Sequence, residues 1–577
     1  MDIKKVLLKD LKKIILKNNI SINYINHINL TTKSKIGHYQ INGIITISKI
    51  LQIKTLEISK KIIFGLQNNK RYKKIKYSEP GFINIFLNTF WISKITETII
   101  HCKRLGISKK NPQNVIIDYS SPNMAKEMHV GHLRSTVIGD SMARIIEFCG
   151  NNITRVNHIG DWGIQFGMLI ALIKKKKIKF SKVNITLQEI EKFYQESKKL
   201  YDTDDSFKKQ SDKYFIDLQN YHTTYTKIWK KIVNITIQEN NVIYKLLNIK
   251  LNNNNIIGES FYVNMLPKIL LDLKKKKITS QYKGDTLVYL DEIQNKDGKP
   301  MGVILQKQDH RFLYSTIDLA CLKYRINVLK ANRIIYYTDI RQKQHLTQVS
   351  IIAKKAQYIP QEFDLEHHTF GMILSKNNKP FKTRDGKLIK LHSLIKEAIK
   401  KAEIIIKEKN KNFRKKKIIY LSRIIGISAI KYFDLSKNRK KNYIFNWEKI
   451  LSFNSNTALY IQYTYTRIYS IFKKSKIKIC HIKSPIILNK KIEINLCIKL
   501  LEFEEVIKKI EKQGTPHILC LYLFQVCSLF SVFYEKYPIL YAKKIKIKNS
   551  RLKLSFLTSR IIKKGLQLLG IQTVKHM

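Results

Sequence analysis

The most restrictive feature of the sequence is a strand, loop and helix pattern near residue 130. Residues 114–120 (NVIIDYS) are an apolar run that ends in polar residues, and the loop SPNMAKEM follows. Apolar residues then recur at helical spacing from Gly131 to Gly150, and a second strand-like run, ITRVNHIGDWG, covers 153–163. Alternating strands and helices are typical of a parallel sheet covered by helices, so we expect the start of a parallel nucleotide-binding sheet.

The start of this helix carries the sequence His129-Val130-Gly131-His132. Free N–H groups at a helix start attract anions, and two imidazoles can donate hydrogen bonds to phosphate oxygens. Gly131 leaves room for an adenine against the backbone. The pattern therefore suits nucleotidyl transfer, although two histidines at a helix start are more often structural than catalytic when nothing else supports the site.

Further strand and helix patterns follow. The helical stretch 186–275 looks inserted, and the alternating strand and helix pattern resumes with DTLVYL (285–290), GVILQK (302–307) and RIIYYTD (333–339). From about residue 395 the chain reads as helical. The apolar run Ile518–Tyr534 contains polar residues, and we interpret it as a buried helix, so no membrane association is expected.

Charge and cysteine content limit the class of protein. The 107 Lys and Arg against 43 Asp and Glu give a net charge of +64, which permits an RNA partner. It does not establish one, because Lys, Ile and Asn are abundant everywhere and A/T-rich codons would produce the same bias. The 7 Cys are scattered without a CxxC pair, so we expect no zinc site and a reducing, cytoplasmic location.

Longer segments give a specific resemblance. DYSSPNMAKEMHVGHLRSTVIGDSMARIIEFCG (118–150) and NHIGDWGIQFGMLI (157–170) resemble the arginyl-tRNA synthetases of bacteria, which are class I aminoacyl-tRNA synthetases. The similarity continues through GESFYVNMLP (258–267), LYSTIDLACLKYR (313–325), YYTDIRQKQHL (336–346) and NTALYIQYTYTR (456–467). The resemblance implies an α/β Rossmann-type catalytic domain with the HxGH motif, an α+β N-terminal domain and an all-α C-terminal anticodon-binding domain.

The same resemblance implies the activity, the partners and the domain limits. The expected substrates are L-arginine, ATP with Mg²⁺, and tRNA(Arg), and a monomer is expected. The expected domains are a tRNA-contacting domain (1–108), a catalytic domain (109–395) with the helical insertion, a helical connector (396–450) and an anticodon-binding domain (451–577).

The resemblance places ATP on the loop and helix start around the two histidines. His129 and His132 would stabilise the α-phosphate, and Lys126 would assist with the phosphates. The second class I signature is degenerate here, Lys379-Pro380-Phe381-Lys382-Thr383-Arg384, and Lys382 and Arg384 are its candidate phosphate ligands. The expected ATP-binding residues are Pro122, Asn123, Met124, Ala125, Lys126, Glu127, Met128, His129, Val130, Gly131 and His132.

A guanidinium group needs carboxylate and amide acceptors in a planar arrangement. Tyr314 and Asp318 are spaced i and i+4 and match positions that line the arginine pocket of the family, with Asp318 as the expected guanidinium ligand. The other expected arginine-binding residues are Asp118, Ser120, Asn123 and Gln342. Asp118 could alternatively be a cap at a strand end.

The expected tRNA contacts lie near both ends of the chain. They are Gln40, Asn42, Asn84 and Phe86 in the N-terminal domain and Tyr460, Tyr463 and Arg467 in the C-terminal domain. Each set has the alternative of core packing. The sequence departs from the family at Ser455 and Leu459, where a glycine and a proline were expected, so weaker anticodon selectivity is possible.

Two other functions fit parts of the sequence. A synthetase-derived RNA-binding protein without catalysis would keep the terminal domains, but the retained HVGH motif, Tyr314, Asp318 and Gln342 oppose it. A small HxGH nucleotidylyltransferase would need a much shorter chain without a helical C-terminal domain. The length of 577 residues opposes that alternative.

Overall fold

The structure, a computed structural model, describes residues 3–17, 29–31 (backbone only), 36–108, 111–178, 180, 184–375, 377–381, 389–409, 412–453 and 455–577. The chain divides into two compact units. The first contains residues 1–109, 451–568 and 572–577, and the second contains residues 110–450 and 569–571.

The N-terminal part of the first unit is an antiparallel sheet with helices, which confirms the predicted α+β fold. The sheet has the strand order β1-β2-β4-β3. Ile83, Ile85 and Leu87 alternate along β4 and are fully buried, so one face of the strand builds the core. The elements are α1 (Ile3–Lys17), β1 (Asn29–Thr31), β2 (Tyr39–Asn42), α2 (Ile44–Leu51), α3 (Thr55–Gln67), β3 (Tyr72–Ser78), β4 (Phe82–Leu87) and α4 (Thr89–His101).

The second unit begins with the predicted strand, loop and helix and continues through a long helical stretch. Its first elements are β5 (Asn114–Asp118), α5 (Val130–Cys149), β6 (Asn152–Val156), α6 (Ile164–Lys175), α7 (Leu187–Thr203), α8 (Asp205–Gln219), α9 (Thr223–Leu246) and α10 (Leu266–Lys275). A 3₁₀ helix, Glu259–Met265, precedes α10.

The remaining elements of the second unit alternate between short strands and helices. They are β7 (Ser280–Tyr282), β8 (Asp285–Gln294), β9 (Pro300–Gln306), α11 (Tyr314–Asn327), β10 (Arg333–Tyr336), α12 (Lys343–Lys355), β11 (Leu365–His367), β12 (Ile373–Leu374), α13 (Leu391–Lys409), α14 (Lys415–Leu435), β13 (Tyr443–Ile444) and α15 (Trp447–Ile450).

A parallel sheet in the order β11-β10-β5-β6 is the centre of the second unit. Val115, Ile116 and Ile117 of β5 are at most 1% exposed, because helices cover both faces of the sheet. In such sheets ligands bind outside the carboxyl ends of the strands. The HVGH sequence follows the carboxyl end of β5, so the predicted nucleotide-binding architecture is confirmed.

The expectation that DTLVYL and GVILQK continue the parallel sheet is wrong. These segments belong to β8 and β9, which pair antiparallel with each other in a separate sheet, where β7 pairs antiparallel with the other edge of β8. A turn joins the two strands. The Asn295 side chain accepts hydrogen bonds from the N–H groups of Asp297 and Lys299, and Gly298 adopts a left-handed conformation with φ of 73°. A tight turn cannot connect parallel neighbours.

The C-terminal part of the first unit is helical, as predicted. It contains α16 (Ala458–Ser475), α17 (Lys491–Leu501), α18 (Phe503–Gln513), α19 (His517–Lys536) and α20 (Ile545–Leu568). Within the part of the chain that the structure describes, α19 is the one helix long and apolar enough to cross a membrane by length and composition. Leu519, Leu523 and Phe530 on α19 are fully buried in the helical bundle.

Candidate active site

The loop between β5 and α5 is held in an unusual backbone conformation. Ser120, Ser121 and Ala125 have φ values of 73°, 45° and 61°, although none is glycine. Side chains from neighbouring segments hold this loop: Asn157 Oδ1 accepts from the N–H of Ser121 at 3.0 Å, and Thr236 Oγ1 accepts from the N–H of Ala125 at 3.2 Å. Such strained conformations concentrate at functional sites because the surrounding structure must enforce them.

His129 and His132 face each other at the start of α5, with ring centroids 4.1 Å apart. His129 Nδ1 accepts from the N–H of Gly131, and His132 Nδ1 accepts from the N–H of His129. Burial lowers the pKa of both rings, that of His132 to about 3. Both rings are therefore neutral at pH 7, and the hydrogen-bond pattern assigns each proton to Nε2, where it can be donated to an anion.

Gly131 is required by the packing of the first histidine. A Cβ atom at this position would lie 2.8 Å from Cε1 of His129. Several other residues expected to bind ATP have buried side chains, so they shape the loop and leave the backbone to face a ligand. These buried residues are Pro122, Met124, Ala125, Met128 and Val130.

Two lysines flank His129. Lys126 Nζ lies 4.0 Å from the ring centroid of Tyr194 on α7. Lys390 pairs across a short antiparallel bridge with His129, and its Nζ contacts Glu127 at 3.0 Å and also Glu191 of α7. Both lysines contribute to the low pKa of His129. Lys390 was not selected from the sequence, because the bridge that places it opposite His129 is a tertiary contact.

The degenerate second signature is described only up to Phe381, whose ring stacks on Phe445 with centroids 4.7 Å apart. Phe381 N–H donates to the carbonyl of Ile373, so this segment folds back on β12. Lys382 and Arg384, the expected phosphate ligands, lie outside the described residues.

An acidic pocket lies close to the loop. Asp318 Oδ2 is 2.6 Å from Nε2 of His345, and this contact raises the pKa of His345. Tyr314, one turn before Asp318 on α11, keeps part of its surface exposed, and the pKa of its hydroxyl is raised by partial burial and then by the nearby Glu259 carboxylate. The predicted pair Tyr314 and Asp318 thus adjoins Glu259, which no local sequence pattern indicated.

Glu259 is the most perturbed carboxyl group of this pocket. Burial, followed by the charges of Asp318 and Asp161, raises its pKa to about 8. Its Oε2 atom is buried without a hydrogen-bond partner. A buried acceptor beside a second carboxylate is suited to a cationic ligand, because a cation would satisfy the lone pairs and restore the charged form.

Asn123 connects this pocket to the loop. It forms a bridge with Gly160, and a Cβ at Gly160 would lie 3.3 Å from Asn123 Oδ1 and 3.9 Å from Glu259 Oε1. Gln342 is exposed at the end of a 3₁₀ turn, three residues before His345. The structure therefore brings Asn123, Tyr314 and Asp318 to one pocket.

Asp118 and Ser120 occupy a different environment. Asp118 Oδ2 is 2.5 Å from Nη2 of Arg325, and both side chains are at most 3% exposed. Ser120 Oγ contacts the hydroxyl of Tyr244 at 2.7 Å and accepts from Thr136 Oγ1 at 2.9 Å. In this structure both side chains are bound within the core below the loop.

The N-terminal tRNA candidates are partly core residues. Gln40 and Asn84 face each other on β2 and β4, both are buried, and Gln40 Nε2 donates to Asn84 Oδ1 at 3.0 Å. Phe86 is half-buried with its ring against His38. Asn42 is half-buried at the end of β2.

The C-terminal candidates lie on one face of α16. The Arg467 guanidinium is 4.9 Å from the ring centroids of both Tyr463 and Tyr534, and Tyr463 is 43% exposed. Tyr460 packs against Phe524 and is half-buried. A partly exposed cluster of one arginine and two tyrosines can stack on unpaired bases. Tyr534 was missed because it lies on a different helix.

Three family profiles match the chain. The profile described as "tRNA synthetases class I (R), catalytic domain" matches residues 94–447. The "DALR anticodon binding domain" matches residues 461–577, and the "Arginyl tRNA synthetase N terminal domain" matches residues 1–87. The catalytic profile alone covers more than half of the chain.

Individual relatives match over the full length. An arginine–tRNA ligase of Buchnera aphidicola subsp. Acyrthosiphon pisum (strain Tuc7) is 54% identical and covers 100% of both chains. One from Blochmanniella pennsylvanica (strain BPEN) is 51% identical, also with 100% of both chains covered. The crystal structure of arginyl-tRNA synthetase from Plasmodium falciparum is 33% identical, covers 100% of both chains and has a TM-score of 0.86. The chain therefore belongs to the arginyl-tRNA synthetases, a family of class I aminoacyl-tRNA synthetases.

Proposed function

We propose that this chain activates L-arginine with ATP to arginyl-adenylate and transfers arginine to the 3′ terminal adenosine of tRNA(Arg), releasing diphosphate and then AMP. The acidic pocket of Glu259 and Asp318 and the two neutral histidines, which belong to the same compact unit, carry this proposal. They combine a site for a guanidinium group with donors for a phosphate.

The pocket recognises the side chain of arginine. Its two carboxylates accept from the guanidinium fork, which delivers several donors in one plane. His345 holds Asp318 by the 2.6 Å contact, and Tyr314, which lies near Glu259, is assigned to the lining of the pocket. Asn123, which forms a backbone bridge with Gly160, and Gln342 are assigned to the amino and carboxylate groups of arginine.

Activation is an in-line attack of the arginine carboxylate on the α-phosphate, with diphosphate leaving. The reaction needs positioned donors more than it needs an acid or a base. His129 and His132 supply Nε2–H groups to the transferring phosphoryl oxygens. Both rings stay neutral at pH 7 because burial lowers their pKa values, so neither ring serves as a general acid.

The β- and γ-phosphates, which arrive with Mg²⁺, are assigned to Lys126, Lys382 and Arg384. Lys126 lies three residues before His129 and is held over the ring of Tyr194. In the second step a hydroxyl of the terminal adenosine attacks the carbonyl carbon of the adenylate, and AMP leaves.

The remaining assignments concern the rest of the molecule. Residues 1–108 and 451–577 are assigned to tRNA contacts, 109–395 to catalysis and 396–450 to a helical connector. The partly exposed cluster of Tyr463, Arg467 and Tyr534 is the proposed base-stacking surface of the C-terminal region. We propose a cytoplasmic monomer that does not associate with membranes.

Charging of unfractionated tRNA with labelled arginine and ATP tests this function, with lysine as the competing substrate. We expect charging with arginine alone and its loss in Asp318→Ala. Asp364→Ala, which removes an exposed carboxylate before β11, is the matched control and retains charging. A protein that binds tRNA but charges no arginine would instead be a catalytically inactive RNA-binding protein.

A further inference from the structure

Arg134 is a buried charged residue that the reaction scheme above does not use. It lies two residues after His132 on α5, and its side chain is 1% exposed. Its Nη1 donates to the carbonyl oxygen of Gly371 at 2.8 Å and to that of Lys441 at 3.0 Å. One guanidinium thus joins the helix of the two histidines to two other segments of the second unit.

The carboxylate that balances the charge of Arg134 belongs to Asp434, which is also completely buried. Asp434 Oδ2 is 3.2 Å from Nε of Arg134, and the Asp434 side chain is 0% exposed. The hydroxyl of Tyr443 donates to the same oxygen at 2.8 Å, and the Tyr443 ring lies 5.1 Å from the guanidinium carbon. A buried ion pair adds little net stability compared with apolar residues of the same volume, so stability alone does not account for this group.

The segment that Arg134 contacts leads into the degenerate second signature. Gly371 immediately precedes Met372 and β12, and Phe381 folds back on β12. The segment also packs closely against the chain at Lys441, because a Cβ at Gly371 would lie 2.6 Å from the carbonyl oxygen of Lys441. Asn442 Oδ1 accepts from the N–H of Met372 at 2.7 Å.

We propose that Arg134 is a positioning residue that fixes the two histidines relative to the described segment from Gly371 to Phe381, which precedes the proposed phosphate ligands Lys382 and Arg384. We call the group Arg134, Asp434 and Tyr443 the Arg134 cluster. This inference rests on the proposed function. In-line transfer requires the α-phosphate at the histidines and the leaving diphosphate at these ligands to stay aligned, and a shift of about 1 Å can lower a rate about 100-fold.

Arginine binding can be compared with the use of ATP to test this role, because the arginine pocket is built from other elements. Glu259 and Asp318 lie on the 3₁₀ helix before α10 and on α11, and neither has a contact with Arg134 among those that the structure gives for the described residues. Loss of the Arg134 cluster should therefore impair the use of ATP while the binding of the substrate arginine is retained. A purely structural role would weaken both together.

The principal test is Arg134→Met, which keeps an unbranched side chain that can pack in the core and removes the guanidinium group. We expect the turnover for arginine-dependent ATP–diphosphate exchange, measured with tRNA present, to fall by about 30- to 100-fold. The KM for ATP should rise, while the dissociation constant for arginine, measured by calorimetry without ATP, should stay within about twofold. Tyr443→Phe, which removes one hydroxyl and should fold normally, should show the same pattern with a drop of only a few-fold.

Arg144→Met is the matched control. Arg144 lies ten residues further along α5, its side chain is 9% exposed, and its Nε is 2.7 Å from Asp140 Oδ2. Arg144 lies twelve residues after His132, which is about 18 Å of helix, so its side chain is far from the histidines. We expect its loss to lower the melting temperature without a comparable loss of turnover in the folded protein.

Two results would overturn the proposal. One is an equal loss of turnover in Arg134→Met and Arg144→Met at the same folded fraction, and the other is a parallel loss of arginine affinity in Tyr443→Phe. If Arg134→Met does not fold, the Tyr443→Phe measurement decides. A wild-type protein that fails to charge tRNA would contradict the proposed function itself, and the two failures are therefore distinguishable.

Discussion

Glu259 shows how a single buried carboxyl group can link arginine binding to pH. Burial raises its pKa to about 8, so below this pH the group is protonated in the free protein. A guanidinium needs the charged form, which means that binding must release a proton. We expect the dissociation constant for arginine to fall as pH rises from 6 to 8, by at most about tenfold per pH unit, and to level off above 8.

Calorimetry in buffers with different ionisation enthalpies measures this proton release directly. Glu259→Gln should bind arginine more weakly and lose most of the pH dependence. A residual slope is expected from His345, because protonated His345 competes with the ligand for Asp318. Binding that is equally tight at pH 6 and pH 8 in the wild type would contradict this role of Glu259.

His132 supports a second prediction for a single residue. Its neutral ring has an Nε2–H available for the α-phosphate, and removal of one such donor typically costs about 100- to 1000-fold in turnover. We expect His132→Ala to lower adenylate formation by two orders of magnitude or more, with arginine affinity retained. An unchanged rate in single-turnover measurements would remove His132 from the mechanism.

Some of these residues could be predicted from local sequence spacing, and others could not because their contacts form only in the folded chain. His129, His132, Tyr314 and Asp318 belong to local spacings that place side chains on one helix start or one helix face. Glu259 lies 59 positions before Asp318, and only the folded chain brings the two carboxylates together. Lys390 and Tyr534 were missed for the same reason, because their partners lie on other elements.

At the scale of elements, the packing of α5 on the end of β5 positions the histidines. Gly139 lies inside α5, where alanine normally stabilises a helix by about 0.5 to 1 kcal/mol relative to glycine. Here a Cβ would overlap Cβ and Cγ of Tyr119 and lie 2.8 Å from its Cδ2. Tyr119 is fully buried and cannot move aside cheaply, so steric overlap should outweigh helix propensity.

We therefore predict that Gly139→Ala lowers the free energy of unfolding by about 1 to 3 kcal/mol, the usual cost of overpacking. Gly302→Ala is the control, because a Cβ there meets no atom closer than 3.4 Å. Denaturant unfolding of both variants provides the comparison. A Gly139→Ala protein as stable as the wild type would show that α5 can shift away from Tyr119.

Element type was predicted more reliably than strand pairing. The apolar run of β5 and the helical pattern of α5 are local signals, and both elements formed where they were expected. The pairing of β8 with β9 was not recognised, because an alternating strand is compatible with either direction until the turn at Asn295 and Gly298 is read as a hairpin. Pairing direction depends on such connections.

At the scale of the whole molecule, the two ends of the chain share one compact unit. Glu97 of α4 accepts from Lys553 of α20 at 2.9 Å and from the N–H of Ile486 at 2.7 Å. Thr96 Oγ1 lies 2.9 Å from Sγ of Cys497 on α17. Periodicity along the sequence cannot reveal these contacts, because they join residues about 390 to 460 positions apart.

Because Glu97 and Lys553 join α4 to α20, we expect the helices of this unit to lose stability together. Lys553 is 4% exposed, so Glu97→Ala would leave a buried charge without its partner, which typically costs about 3 to 5 kcal/mol. Glu97 itself is 24% exposed, and water at that side should keep the loss at the lower end of this range. We expect faster amide hydrogen exchange in α4, α17 and α20, while β5 and β10 of the second unit keep their protection.

Glu57→Ala, which removes an exposed carboxylate on α3, is the matched control and should leave all of these rates unchanged. Faster exchange confined to α4 would mean that the N-terminal region is not needed to hold the C-terminal helices in place. A joint change would show that regions at opposite ends of the sequence depend on each other for their stability.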